Sequence, residues 1–143
     1  MSEQKRYIGN IIIVGSTYAG KTSWIKRLNG EDYNQFSPTI TAVTTQHTTI
    51  FDKGEYTFKI WDTAGQQGKN EILTILNEDI DVMIIFVNLS HKVDINAEMT
   101  YYLRLLSEVK GEENDILKVI IGNRIDEAFE EMPVIVARAA NQM

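Results

Sequence analysis

The stretch "GSTYAGKT", residues 15–22, decides how the rest of this chain is read. Its spacing is G-x-x-x-x-G-K-[ST], and its neighbours suit that motif. Ahead of it stands "YIGNIIIVG" (7–15), a β-branched apolar run of the kind a fully buried strand carries. Behind it, residues 21–29 place Trp24, Ile25 and Leu28 at helical spacing. A strand, a glycine loop and a helix in that order make a cradle for phosphate. Gly15 and Gly20 let backbone amides curl round phosphate oxygens in conformations a side chain would obstruct. The helix beginning near Lys21 aims unpaired N–H groups and its dipole at the same anion. Lys21 adds a full positive charge on the β- and γ-phosphates, and the Thr22 hydroxyl is a Mg²⁺ ligand. The expected ligand is a nucleoside di- or triphosphate held along Gly15, Ser16, Thr17, Tyr18, Ala19, Gly20, Lys21, Thr22 and Ser23.

Outward from the loop, apolar runs alternate with amphipathic ones. "TTQHTTIFD" (44–52) and "YTFKIWD" (56–62), joined by Lys53-Gly54-Glu55, read as a hairpin whose turn glycine supplies the positive φ. "DVMIIFVNL" (81–89) is a second buried strand, residues 96–110 an amphipathic helix, and "LKVIIGN" (117–123) a further strand. Buried strands separated by helices predict an α/β fold with a mostly parallel sheet flanked by helices and one antiparallel edge hairpin. In such sheets ligands lie outside the carboxyl ends of the strands. There are no repeats, low-complexity segments or Pro/Gly-rich linkers, and 143 residues suit a single domain.

Composition narrows the classes. The 43% apolar and 24% charged fractions are those of a soluble globular chain rather than a disordered one. A net charge of −6 argues against broad attraction to nucleic acid or anionic lipid. The absence of cysteine removes disulfides, thiolate metal sites and prenyl or palmitoyl anchors from the sequence as it stands. Ser2 excludes a myristoyl signal, and "MSEQKRY" is not a signal peptide. The expectation is a cytoplasmic domain without a lipid anchor.

A second motif follows in "KIWDTAGQQ" (59–67). A strand ending in Asp62 places a carboxylate beside the Mg²⁺ position. The Gly65 amide can approach a γ-phosphate because no Cβ intervenes. Gln66 has the length and the donor-plus-acceptor amide to orient an attacking water. Here the sequence resembles the Ras-like small GTPases (P-loop GTPases of Rossmann-like α/β architecture), closest in flavour to the Rab branch with Trp61 before the Asp.

The resemblance implies further residues. "FSPTI" (36–40) supplies Thr39, beside Pro38, which in the family closes over Mg²⁺ and the γ-phosphate and lets go after hydrolysis. Tyr33 either packs its ring against the guanine face or is a packing residue. Phe36 lies near a position that is often Tyr. "GNRID" (122–126) matches the family's N-K-x-D base reader with Lys replaced by Arg. Asp126 would accept from guanine N1–H and the exocyclic amine, a pattern adenine does not offer. Asn123 would bond guanine N7 and brace the phosphate loop, and Arg124 would lay its stem and guanidinium along the base.

The sequence also departs from the family. Thr17 and Tyr18 stand where Ras has glycines, and the β-branched Thr17 could crowd Gln66 and slow hydrolysis. Gln67 replaces a common acidic residue, and "GQQGKNE" lacks the Rab Arg-Phe pair. His47 in the Thr-rich "TAVTTQHTT" (41–49) and His91 read as surface residues without metal partners. After Asp126 only "EAFEEM" precedes Pro133, too short for a crossover helix. "VIVA" (134–137) is then a last strand, with "RAA" (138–140) offering the Ala139 amide to guanine O6. Alternatively, Pro133 opens a short terminal helix. The β-branched run favours the strand. Either way the closing C-terminal helix is missing, which predicts marginal stability, self-association through an uncovered sheet face, or a chain cut short. The resemblance covers residues 7–126 well and the remainder poorly.

Together these readings imply a switch that binds GTP or GDP with Mg²⁺ at Thr22, Thr39 and Asp62. It would hydrolyse GTP slowly through Gln66, Lys21 and Thr39. Effectors and regulators would meet residues 34–46 and 62–76. No arginine stands in "NGEDYNQFSPT" (29–39), so a partner would supply the guanidinium. Two rivals are a guanine-nucleotide scaffold that no longer hydrolyses, and a P-loop ATPase or nucleotide kinase.

Overall fold

The computed structural model describes residues 4–16, 19–28, 30, 43–63, 68–90, 94–123, 138 and 141. Within them the chain runs β1 (Lys5–Gly15), α1 (Lys21–Leu28), β2 (Val43–Phe51), β3 (Gly54–Asp62), α2 (Lys69–Leu76), β4 (Val82–Asn88), α3 (Ile95–Lys110) and β5 (Leu117–Asn123). The strands form one sheet in the order β2-β3-β1-β4-β5. Pairings of β1 with β3, β1 with β4, and β4 with β5 are parallel, and β2 with β3 is antiparallel. This is the mixed, mostly parallel sheet with one antiparallel edge hairpin that the sequence predicts.

The central strands are apolar on both faces because helices cover both. Alternation sends Ile12 and Val14 toward α2 and α3, together with Met83, Ile85 and Val87 of β4. Ile13, Ile84 and Phe86 point the other way, toward Ile25 of α1. Phe86 is almost fully buried there and meets the Trp24 ring edge-on at 5.6 Å. On that α1 face Val82, Val119 and Ile121 are only partly buried. The edge strand β2 carries threonines because little covers it.

Three local differences from the sequence reading have physical reasons. The hairpin turn is Asp52-Lys53, with φ of +44° and +63°, whereas Gly54 pairs with Phe51 as the first residue of β3. A two-residue loop with positive φ at both central positions matches the twist of the strands, which a turn centred on Gly54 would not. Helix α2 is an additional element. α3 begins at Ile95, one residue earlier than expected, because the Asp94 side chain accepts the Ala97 N–H at 3.0 Å. It stops at Gly111, whose φ is +83°. Of residues 133–143 only Arg138, helical and exposed, and Asn141, in a turn and exposed, are described; the expected strand over 134–137, the Ala139 amide and the missing closing helix lie outside the described residues.

Candidate nucleotide-binding site

Sheet register assembles the site before any side chain acts. Ile13 stands opposite Asp62, Gly15 opposite Phe86, and Asn88 opposite Asn123. The end of β3, the phosphate loop and the end of β5 therefore share the carboxyl edge of the sheet. Thr63, fully buried, fastens the start of the second motif there: its hydroxyl donates to the Ile13 carbonyl at 2.7 Å. The sequence reading missed this role, since a threonine between Asp and Ala gives no sign of what it will bond.

The loop can take its path only with glycine at both ends. Gly15 has φ +145°, and a Cβ there would lie 2.3 Å from the Phe86 carbonyl oxygen of the neighbouring strand. Gly20 has φ +91°, and a Cβ there would lie 2.1 Å from Asn123 Nδ2. That amide donates to the Ala19 carbonyl at 2.9 Å, tying β5 to the loop across 104 residues. Asn88 beside it is buried, and its Oδ1 accepts from the Ser90 amide at 2.9 Å and hydroxyl at 2.5 Å. Gly20, Ser23, Trp24, Arg27 and Asn123 line a cleft of about 230 Å³. Helical spacing brings Ser23, Trp24 and Arg27 to one side of α1, and neither Trp24 nor Arg27 was singled out for the site from sequence.

Lys21 is 6% exposed and folds back over the loop. Its Nζ donates to the Gly15 carbonyl at 2.8 Å and the Ser16 carbonyl at 2.7 Å. Burial pulls its pKa from 10.5 down to about 8, against the opposing pull of the Asp62 and Glu98 carboxylates. Thr22 Oγ1 donates to Asp62 Oδ2. Asp62 is 3% exposed, and burial pushes its pKa up against the Thr22 hydrogen bond and the Lys21 charge. Its Oδ1 is buried and has no hydrogen-bond partner among the described residues.

A hydroxyl and a carboxylate side by side, one carboxylate oxygen unsatisfied, form a hard-oxygen donor set that fits Mg²⁺. Among the described residues no group of three His, Asp or Glu could hold a metal by itself. Mg²⁺ binding through one or two protein oxygens plus substrate phosphates is consistent with that. From the other side, buried Tyr102 of α3 comes close to the Gly15 backbone. Burial and the Glu98 carboxylate push its pKa upward.

The structure thus brings Gly15, Ser16, Ala19, Gly20, Lys21, Thr22, Ser23, Asp62 and Asn123 to one sheet edge. Thr17, Tyr18, Tyr33, Pro38, Thr39, Gly65, Gln66, Arg124, Asp126 and Ala139 lie outside the described residues, as does His91. The roles expected of them rest on the sequence.

A mostly parallel α/β sheet whose first strand turns through a glycine loop onto a helix, with a buried lysine closing the loop, defines the P-loop nucleotide-binding domains. The family model described as Ras of Complex, Roc, domain of DAPkinase matches residues 10–126. The chain belongs to this Roc family of Ras-like small GTPase domains. Its similarities run to the Rab branch. It is 24% identical over 140 residues to the Ypt/Rab-type GTPase ypt71 of Schizosaccharomyces pombe, covering 97% of this chain and 67% of that protein. It is 28% identical over 136 residues to the Ras-related protein Rab7 of Gossypium hirsutum, covering 88% and 62% respectively. With the Ras-related protein Rab-26 of Drosophila melanogaster it shares 25% identity over 126 residues, covering 86% and 31%. The chain therefore spans about a third to two thirds of the length of these relatives.

Proposed function

We propose that this chain is a guanine-nucleotide switch that binds GTP and GDP with Mg²⁺ and hydrolyses GTP slowly without a partner. One observation carries the reading. A loop closed by Lys21 is flanked on one side by the Thr22–Asp62 pair and on the other by Asn123, bonded to the loop itself. Phosphate chemistry at the loop and a base contact through Asn123 would thereby share one edge of the sheet. Lys21 would leave the Gly15 and Ser16 carbonyls to neutralise charge on the β- and γ-phosphates. Thr22 and Asp62 would hold Mg²⁺, which supplies further neutralisation of phosphate charge. Gln66 would orient the attacking water, Thr39 would close over the terminal phosphate, and Asp126 would choose guanine over adenine.

Family membership supports nucleotide binding and switching, and the departures at Thr17 and in the first switch loop motivate the low rate. Effectors and regulators would meet residues 34–46 and 62–76. No helix among the described residues is long and apolar enough to cross a membrane. A cytoplasmic setting is part of the proposal.

Competition of GTP and ATP for the purified chain tests base choice, and preference for ATP overturns the reading. Single-turnover hydrolysis by wild type and Gln66→Leu separates the switch from a non-hydrolysing scaffold. Gln66→Leu is expected to be slower by roughly 10-fold or more, and equal rates would favour the scaffold.

A further inference from the structure

Strand β2 is the outer strand of the sheet, and among the described residues no strand pairs with its far side. The two sides of its backbone are not equivalent. The hairpin closes through the two-residue turn Asp52-Lys53, so Phe51 and Gly54 are the hydrogen-bonded pair beside the turn. An antiparallel ladder alternates from there, and the register runs without a bulge to Val43 opposite Asp62. Val43, Thr45, His47, Thr49 and Phe51 therefore turn their N–H and C=O groups toward β3. Thr44, Gln46, Thr48 and Ile50 turn theirs outward. The Thr48 and Thr57 hydroxyls, 3.0 Å apart, agree with this phase, because side chains approach closest in the non-hydrogen-bonded pairs. Each outward-turned residue also has an exposed side chain.

A bare edge of this kind is ordinarily guarded by charged residues, proline or a bulge. The stretch VTTQHTTIF has no Asp, Glu, Lys, Arg or Pro, and its ladder has no bulge. Symmetry decides what fits such an edge. When two identical strands pair antiparallel about a two-fold axis normal to the sheet, one residue faces its own copy. His47 is the midpoint both of β2 and of the outward-turned set. Centred there, Gln46 meets Thr48 of the second copy and Thr44 meets its Ile50, so every outward N–H and C=O finds a partner within the strand. Each such pair exchanges both backbone bonds. Centring on Gln46 or on Thr48 instead leaves one outward residue of each copy facing a position beyond the other's strand. The His47 register also sets Thr45 opposite Thr49, a β-branched pair of the kind that stabilises sheets.

We propose that β2 is a self-pairing edge: two copies of this chain join antiparallel through Thr44–Ile50, His47 faces His47 of the second copy across the axis, and the two sheets continue into one. The inference goes beyond the switch reading and does not depend on it. One strand pair is a small interface, so the association is reversible and of the weak class. It covers Thr44 and Gln46, which lie at the end of the segment expected to meet effectors. Dimer and effector therefore compete for the same edge, and local concentration of the chain becomes a control on effector access.

Sedimentation equilibrium of the 143-residue chain tests this, with circular dichroism to check that each variant is folded. Wild type is expected to pass from monomer to dimer between roughly 1 μM and 1 mM. Gln46→Pro removes an outward N–H and leaves the ladder to β3 intact, as proline on an edge strand can. It removes one backbone bond from each copy and should raise the dissociation constant roughly tenfold or more. His47→Glu and His47→Lys each set like charges against one another at the axis and should weaken pairing by a similar factor. Mixed together, these two variants set opposite charges there and should dimerise again. A wild type that stays monomeric throughout the range overturns the proposal, as does a dimer whose dissociation constant is the same in all the variants. Should Gln46→Pro not fold, the charged variants decide. Pairing as tight as wild type in each alone, or weakened pairing that mixing does not restore, overturns the proposal.

Discussion

Gly20→Ala is the perturbation whose cost can be worked most directly from the geometry. The added methyl carbon would sit 2.1 Å from Asn123 Nδ2, so the amide must swing aside. In doing so it loses its 2.9 Å bond to the Ala19 carbonyl, worth about 1 kcal/mol. The residue must also hold φ +91°, which costs a non-glycine residue about 1–2 kcal/mol. Reduced freedom of the unfolded chain offsets about 0.5 kcal/mol of this. The net destabilisation is about 2 kcal/mol, read by urea unfolding in the absence of nucleotide. Asn123→Ala in a double-mutant cycle isolates the contact. In that background Gly20→Ala loses only the backbone part, about 1 kcal/mol, so the coupling energy is about 1 kcal/mol. Additive single-mutant effects would refute the claim that the loop is braced from β5. A coupled pair with unchanged nucleotide affinity would refute the further claim that this brace belongs to the site.

Three other outcomes are expected. Gly15→Ala places a methyl 2.3 Å from a backbone oxygen that cannot rotate away, so it should destabilise by about 4 kcal/mol or more and give little folded protein by circular dichroism. Replacing Asp52-Lys53 by Asn-Gly puts glycine at one positive-φ position and the more tolerant Asn at the other, and should stabilise the chain by about 0.5–1 kcal/mol in thermal unfolding. Lys21 has a folded-state pKa near 8 against 10.5 unfolded, so burial of the cation costs stability below pH 8 and that cost disappears as pH rises toward 10.5. Relative to a Lys21→Met variant, wild-type stability should rise by about 3 kcal/mol over that window. Phosphate binding reverses the preference, so calorimetry between pH 8 and 10 should detect proton uptake with nucleotide and an affinity that falls as pH rises.

What the sequence made legible, and what it hid, follows from the range of each interaction. Strand–loop–helix at residues 7–29, the buried strand 81–89 and the half-buried edge strand 117–123 were readable because runs of β-branched and other apolar residues favour a sheet wherever they fall in the chain. Helix α2 was not. "KNEILTIL" gives barely two turns, and Ile72, Leu73, Ile75 and Leu76 suit an apolar run as well as a helical stripe. The turn was misassigned because Gly54 drew the positive φ by reputation, whereas hairpin twist assigned it to Asp52 and Lys53. Asn123 beside the loop was legible only through a motif, and the approach of Tyr102 to the Gly15 backbone was not legible at all. Those contacts depend on how α3 lies across β1, which no local pattern encodes.

The bond from Asn123 to Ala19 also has a consequence for how the protein is made. The phosphate loop leaves the ribosome well ahead of the residue that braces it, which follows 104 positions later. At ordinary elongation rates that gap lasts roughly 5–20 s. Throughout it, β1 lacks β4 as a partner or has only just acquired it, and the loop lacks its brace. Tight capture of a ligand therefore comes at the close of synthesis for this part of the chain. A ribosome stalled before β5 would display a loop of the right sequence with no finished grip, so ligand retention doubles as a certificate that translation reached residue 123.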